Sequence, residues 1–160
     1  VFALIESATG VFNLLEIAKS PRVSRLQIGE FDLRADIGIS EEAGDTTLQH
    51  ARSIAVFASA AAGIKPPVAA VSINFRDLDA YRFNTQHFKR WGYFGRACIH
   101  PGQVEIANEV FKPTADELSK AQEILDRLVA AGGGVALDAQ GRMIDEAIAK
   151  IARRMLNMGK

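Results

Sequence analysis

Short apolar runs alternate four times with helix-patterned stretches along residues 1–111, and no hairpin turn joins one run to the next. The runs fall at 1–5, 23–28, 68–73 and 96–99. Connections of that length, each carrying a helical pattern, are what parallel strands need, because a tight turn can only reverse the chain. The predicted class is therefore α/β. Leu14, Leu15 and Ala18 recur at helical spacing within 11–18, and Pro21 stops that helix. Residues 29–45 read as a polar cluster through Asp32 followed by a loop rich in Gly and acids. Asp45 to Thr47 offers an N-cap for an Ala-rich helix over 48–62, which Gly63, Pro66 and Pro67 end. A third helix is expected over 77–91, and a fourth runs from Pro101, well suited to a first helical position, to Phe111.

Beyond these units the rhythm changes. Thr114 and Glu117 form a capping-box pair ahead of a helix whose Leu118, Ala121, Ile124, Leu125 and Leu128 share one face. Gly132 to Gly134 terminate it, a turn-like Asp138 to Gly141 separates two short apolar pieces, and a last amphipathic helix carries Ile148, Ile151, Ala152 and Met155. The expected organisation is one domain over 1–112 and an appended helical lid over 113–160. Four parallel strands fit either a small open sheet or half of an eightfold barrel.

Composition removes several function classes. Nineteen Lys and Arg balance nineteen Asp and Glu, so no broad basic field is present to hold nucleic acid or an anionic membrane. The partner expected is a small molecule. A single cysteine, Cys98, excludes an internal disulfide framework and a multi-cysteine zinc site, which fits a reducing compartment and a cytoplasmic location. The longest apolar stretch, 54–64, contains Ser59 and Gly63 and is shorter than the ~18 residues a membrane helix requires. Residues 1–5 are too short for a signal-peptide core, and their opening inside a strand pattern reads as a piece of a longer chain.

Glu6, Asp32 and His100 each stand at or just beyond the C-terminal end of a predicted strand, the rim on which parallel α/β folds assemble their sites. Glu6 and Asp32 end adjacent strands. Two carboxylates a few ångströms apart repel unless a proton or cation lies between them. Oxygen ligands without nearby Cys or paired His favour a hard ion, and Mg²⁺ keeps positions open for water or substrate. Plainer roles stand beside this one. Asp32 could bond backbone donors in its loop and Glu6 could be solvated at a strand end. His100 could be bonded to backbone ahead of Pro101, and Asp145 is placed to N-cap the last helix. Cys98 reads as core, and Trp91, Tyr93 and Phe94 as packing residues, since no basic stripe accompanies them.

Five ordered segments carry a family resemblance. They are Ala3-Leu4-Ile5-Glu6-Ser7-Ala8; Ile28-Gly29-Glu30-Phe31-Asp32-Leu33 with Asp36-Ile37-Gly38; Gly92-Tyr93-Phe94-Gly95-Arg96-Ala97-Cys98-Ile99-His100-Pro101-Gly102-Gln103; Val110-Phe111-Lys112-Pro113-Thr114; and Gly141-Arg142-Met143-Ile144-Asp145. Together they resemble the citrate lyase β-subunit and malyl-CoA lyase family, the CitE-like branch of the HpcH/HpaI aldolase superfamily. The resemblance spans essentially the whole chain but matches only the second half of such proteins. It implies the C-terminal half of a (β/α)8 TIM barrel, equivalent to strands 5–8, with a helical C-terminal lid.

The resemblance further implies a Mg²⁺-dependent carbon–carbon lyase acting on a short hydroxyacyl thioester, borne by CoA or an acyl-carrier protein. Glu6 and Asp32 match the two magnesium-ligating carboxylates, and Gly29 and Glu30 the loop whose amides approach the substrate carboxylate. Asp145 matches a lid aspartate that reaches a neighbouring subunit's site as acid or base, which implies a homo-oligomer, a trimer or hexamer. His100 and Gln103 match the His-Pro-x-Gln motif, with a structural or site-shaping role. Thr9, Phe31 and Ala69 depart from the family's common Arg, polar residue and Asp, which leaves substrate identity open. The arginine that grips the substrate and much of the CoA surface belong to the family's first half. A thioesterase on the same scaffold and a noncatalytic subunit are the alternative functions.

Overall fold

The computed structural model describes residues 1–40 and 45–159. They divide into two compact units, Val1–Phe111 and Lys112–Lys160. In the first, β1 (Phe2–Ile5) pairs in parallel with β2 (Arg25–Ile28), setting Ile5 opposite Ile28. Parallel bridges from Gln27 to Val68 and from Ala69 to Arg96 extend the array. The Val68 N–H donates to the Leu26 carbonyl at 2.9 Å and the Ala97 N–H to the Ala69 carbonyl at 3.0 Å. The four apolar runs thus lie side by side in chain order. The third and fourth runs make single bridges where the sequence predicts strands over 68–73 and 96–99. Pro66 and Pro67 bring no N–H to the start of the third run, and Gly92 and Gly95 hold positive φ on the way into the fourth.

The helices between the runs differ from expectation in two places. The helix predicted over 11–18 is two, α1 (Ala8–Phe12) and α2 (Leu14–Lys19), and it begins earlier, at Ala8. Ser7 starts α1, its Oγ accepting from the Gly10 N–H, and the Asn13 amide side chain donates to the Thr9 carbonyl where the helix breaks. The second difference is α3 (Glu30–Ile37), which occupies part of the predicted loop. After it come α4 (Thr46–Ala61), α5 (Leu78–Arg90) and α6 (Pro101–Phe111). Asp45 stands at the N-cap position of α4 without using its side chain as a cap.

Leu26, Ile28, Leu48 and Ala55 lie almost wholly buried between the strands and α2, α3 and α4. Each buried Leu or Ile contributes about 1.5–3 kcal/mol relative to an exposed one. Ala69, Phe88, Tyr93 and Phe111 form a second, aromatic cluster. On β1, Phe2 and Leu4 remain 59% and 51% exposed.

The second unit is built from α7 (Ala115–Ala130), the antiparallel pair β3 (Ala136–Leu137) and β4 (Met143–Ile144), and α8 (Glu146–Met158). Thr114 and Glu117 make the reciprocal capping box expected of them. Gly132, Gly133 and Gly134 all adopt positive φ, which only glycine does without strain. Leu128, Ile144 and Ala149 form this unit's core. Among the described residues no helix is long and apolar enough to cross a membrane.

Candidate functional site

Glu6 and Gly29 are the first residues past the paired ends of β1 and β2. The Gly29 N–H donates to the Ile5 carbonyl at 2.8 Å, continuing the ladder by one bond. A Cβ on Gly29 would fall 2.4 Å from Glu6 Cγ and 2.7 Å from its Oε1. A side chain at residue 29 would therefore displace that of Glu6, which lies over the entrance to α3.

At 100° per residue, α3 presents two polar faces on opposite sides of the helix. Glu30 and Arg34 lie on one, Asp32 and Asp36 on the other, and Leu33 turns its side chain into the core between them. On the first face, Arg52 of α4 donates to both Glu30 oxygens, Nε to Oε1 at 2.7 Å and an Nη to Oε2 at 2.5 Å. Its other Nη reaches Asp45 Oδ2 at 3.0 Å, while Arg34 donates to Asp45 Oδ1 at 2.8 Å. Arg52 is 4% exposed. Burial alone would lower the pKa of its guanidinium, but the Glu30 and Asp45 carboxylates outweigh that and hold it above the ordinary arginine value. Phe88 and Trp91 lie under the same guanidinium at 5.1 and 5.8 Å, and the Tyr93 hydroxyl donates to the Arg52 carbonyl at 3.1 Å.

The opposite face is open. Asp36 Oδ2 accepts from the Ala8 N–H at 2.7 Å, so the turn Glu6-Ser7-Ala8 is held toward the side of α3 that carries Asp32. Glu6 and Asp32 are both exposed, and among the described residues neither enters a hydrogen bond or ion pair. Carboxylate oxygens are the donors a hard divalent cation takes, and Glu6, just past β1, and Asp32, in the first turn of α3, both turn theirs to solvent. Among the described residues no group of three or more His, Cys, Asp or Glu is gathered to hold a metal. A Mg²⁺ ion held by these two side chains would take its other ligands from water or substrate.

The remaining predicted site residues are placed as follows. The Glu30 carboxylate belongs to Arg52, and the Gly29 amide to Ile5. The N–H groups at the start of α3 that lack an intrahelical partner are those of Glu30, Phe31 and Asp32. Asp145 lies in the second unit, where its Oδ1 caps α8 by accepting from the Ile148 N–H at 3.0 Å. His100 stacks on Phe75 with ring centroids 5.0 Å apart, and its Nδ1 faces the Gly102 N–H at 3.1 Å. Gln103 is fully buried. It accepts from the Ile99 N–H and donates to the Ser72 carbonyl, both at 3.0 Å, joining the ends of the third and fourth runs. Cys98 is half-buried with its sulfur 3.3 Å from the Tyr81 hydroxyl.

Arg52 and Asp36 escape a reading that looks for functional residues only at strand ends. The signal for Arg52 is its position: Leu48, Arg52, Ala55 and Ser59 fall on one stripe of α4, so a cation stands where the helix buries itself.

The sequence profile of the family described as HpcH/HpaI aldolase/citrate lyase matches residues 1–101. A citrate lyase subunit beta-like protein from Deinococcus radiodurans is 31% identical over 98% of this chain and 56% of its own length. A (3S)-malyl-CoA thioesterase from Cereibacter sphaeroides is 32% identical over 98% of this chain and 55% of its own. The chain spans about half the length of these curated relatives. Among solved structures, the CitE protein of Mycobacterium tuberculosis in complex with magnesium, acetoacetate and coenzyme A superposes with a TM-score of 0.81. That protein is 26% identical, and the match covers 99% of this chain and 60% of that one.

Proposed function

The chain belongs to the HpcH/HpaI aldolase/citrate lyase family, and on that premise we propose that it supplies the metal-binding part of a cytoplasmic, Mg²⁺-dependent carbon–carbon lyase. The substrate would be a short hydroxyacyl thioester of the citryl-CoA or malyl-CoA type. What supports this reading is two carboxylates without a partner among the described residues, Glu6 past the end of β1 and over Gly29 and Asp32 in the first turn of α3, with the Glu6 turn held toward the Asp32 face of that helix.

Glu6 and Asp32 would hold the ion. Bound there, Mg²⁺ supplies Lewis-acid stabilisation of negative charge on the substrate oxygen that becomes a carbonyl. The N–H groups of Glu30 and its neighbours at the start of α3 would meet a substrate carboxylate, and the absence of a side chain at Gly29 lets Glu6 lie close to that turn. In the cleavage direction the substrate hydroxyl would pass its proton to solvent water, the carbon–carbon bond would break, and its electron pair would pass to the departing acetyl thioester as an enolate. Asp145 of a neighbouring subunit's lid would protonate that enolate. In this reading residues 1–112 are half of a barrel, residues 113–160 the lid, and the assembly a homo-oligomer. The exposed Phe2 and Leu4 on the free side of β1 suit a barrel completed by the half that the relatives carry and this chain does not.

The thioesterase relative favours a second reading, in which water cleaves the thioester on the same scaffold. Product analysis separates the two. The full-length protein given candidate hydroxyacyl thioesters and Mg²⁺ is expected to form an acetyl thioester and an α-oxoacid, and Asp32→Ala is expected to abolish that activity. Free CoA as the first product would favour the thioesterase. Undiminished activity in Asp32→Ala would refute the metal assignment.

A further inference from the structure

We infer that Asp36 is a positioning residue of the metal site: its carboxylate fixes where Glu6 stands relative to Asp32, without itself being a ligand. The inference rests on the metal reading of Glu6 and Asp32. The two proposed ligands ride on separate segments. Glu6 lies on the turn that leaves β1, and Asp32 on the first turn of α3, with twenty-five residues between them in sequence. Backbone pairing of β1 with β2 sets the strand ends but stops at the Gly29 to Ile5 bond, so it does not reach Ser7, Ala8 or anything beyond Gly29.

Past that bond, among the described residues, one side-chain hydrogen bond joins the two turns. Asp36 Oδ2 accepts the Ala8 N–H at 2.7 Å, two residues after Glu6 and four after Asp32. A spacing of four returns the helix to the same face, so Asp36 engages the Glu6 turn from the side on which Asp32 stands. Ala8 is the first residue of α1, and its N–H is one of the donors that a helix start leaves without an intrahelical partner. Ser7 Oγ serves a different donor, that of Gly10, so Ser7 orders α1 internally while Asp36 ties α1 to α3.

The other side of α3 removes the alternative that the whole helix floats with its partner turn. Glu30 and Arg34 are held by Arg52 and Asp45, which anchors α3 to α4. With α3 fixed from behind, the Asp36 bond places the Glu6 turn and not the reverse. Asp36 is also distinct in kind from Glu6 and Asp32. It already has a short, charge-assisted donor, whereas those two have none among the described residues.

The test is Mg²⁺ binding to the full-length protein, read by titration calorimetry well below the melting transition and repeated with Mn²⁺ by electron paramagnetic resonance. Asp32→Ala is expected to lose binding. Asp36→Ala is expected to weaken it roughly tenfold, the scale at which removing a group that orients a ligand acts. Asp36→Asn should bind within about twofold of the parent, because its amide oxygen can still accept the Ala8 N–H. Parent-like affinity in Asp36→Ala, with Asp32→Ala inactive in binding, would overturn the positioning role alone. Equal losses in Asp36→Asn and Asp36→Ala would also overturn it, by showing that charge and not the hydrogen bond matters. Parent-like binding in Asp32→Ala would instead bring down the metal reading itself.

Discussion

One helix carries acids in two opposite conditions. On one side of α3, Glu30 meets a guanidinium that is almost wholly buried, and Asp45 joins the same network. On the other side, Asp32 faces solvent without a partner among the described residues, and Glu6 approaches in the same state. The residue types are alike and the spacing is short, so chemistry alone does not sort them. Surroundings do. A carboxylate that is neutralised and desolvated is committed to the fold, while one left open to water keeps its charge for a ligand. The Glu30 side chain is committed to Arg52, while the substrate contact that the resemblance implies for its loop belongs to the backbone amides.

The contrast can be attacked first from its buried side. Removing one partner of a buried ion pair leaves the other charged and desolvated. Arg52→Ala is expected to cost about 3 kcal/mol of stability in urea denaturation. A loss below about 0.5 kcal/mol, the level of an ordinary surface substitution, would place Arg52 among the exposed pairs and dissolve the distinction.

A smaller effect follows from the buried tyrosines, one of which, Tyr93, touches the same network. The chain has two tyrosines, Tyr81 and Tyr93. Burial raises the pKa of both well above the ordinary phenol, and at Tyr81 the contact with Cys98 adds to it. A raised folded-state pKa means that the stabilisation is fully present below the unfolded value, about pH 10, and declines as pH rises above it. Each tyrosine should lower stability by about 1.4 kcal/mol per pH unit above pH 10. Alkaline titration followed by phenolate absorbance and circular dichroism is expected to show no ionised tyrosine until the protein unfolds, and then both together. Tyr93 titrating near its ordinary value in the folded protein would show that the aromatic side of Arg52 is open to water.

The contrast also explains what could be read from sequence. Pro101, the Thr114 and Glu117 capping box and the Asp145 N-cap are local signals, and each element they start lies where the sequence places it. The strand ends bearing Glu6 and Gly29 were legible for the same reason, from a continuous apolar run at 1–5 and an alternating one at 23–28. By contrast, α3 was not legible. Its sequence Glu30-Phe31-Asp32-Leu33-Arg34-Ala35-Asp36-Ile37 alternates polar and apolar residues strictly, a period of two that argues against a helix. Tertiary contacts override it: Leu33 is buried, Phe31 stays partly exposed, and ion pairs hold one polar face. Asp45 looked like a helix cap and is instead a counterion to Arg34 and Arg52, a role that depends on residues eleven and seven positions away. Asp36 belongs to the same class, because its partner Ala8 is twenty-eight residues distant. Contacts of that range leave no local pattern in sequence.

The central claim is that Glu6 and Asp32 share one hard cation, and the most direct measurement is a crystal structure of the full-length protein grown with Mn²⁺. Anomalous scattering is expected to place one ion with Glu6 and Asp32 oxygens both at about 2.1 Å and Asp36 still bonded to the Ala8 N–H. An ion bound elsewhere, or the two carboxylates turned away from each other with no metal between them, would contradict it.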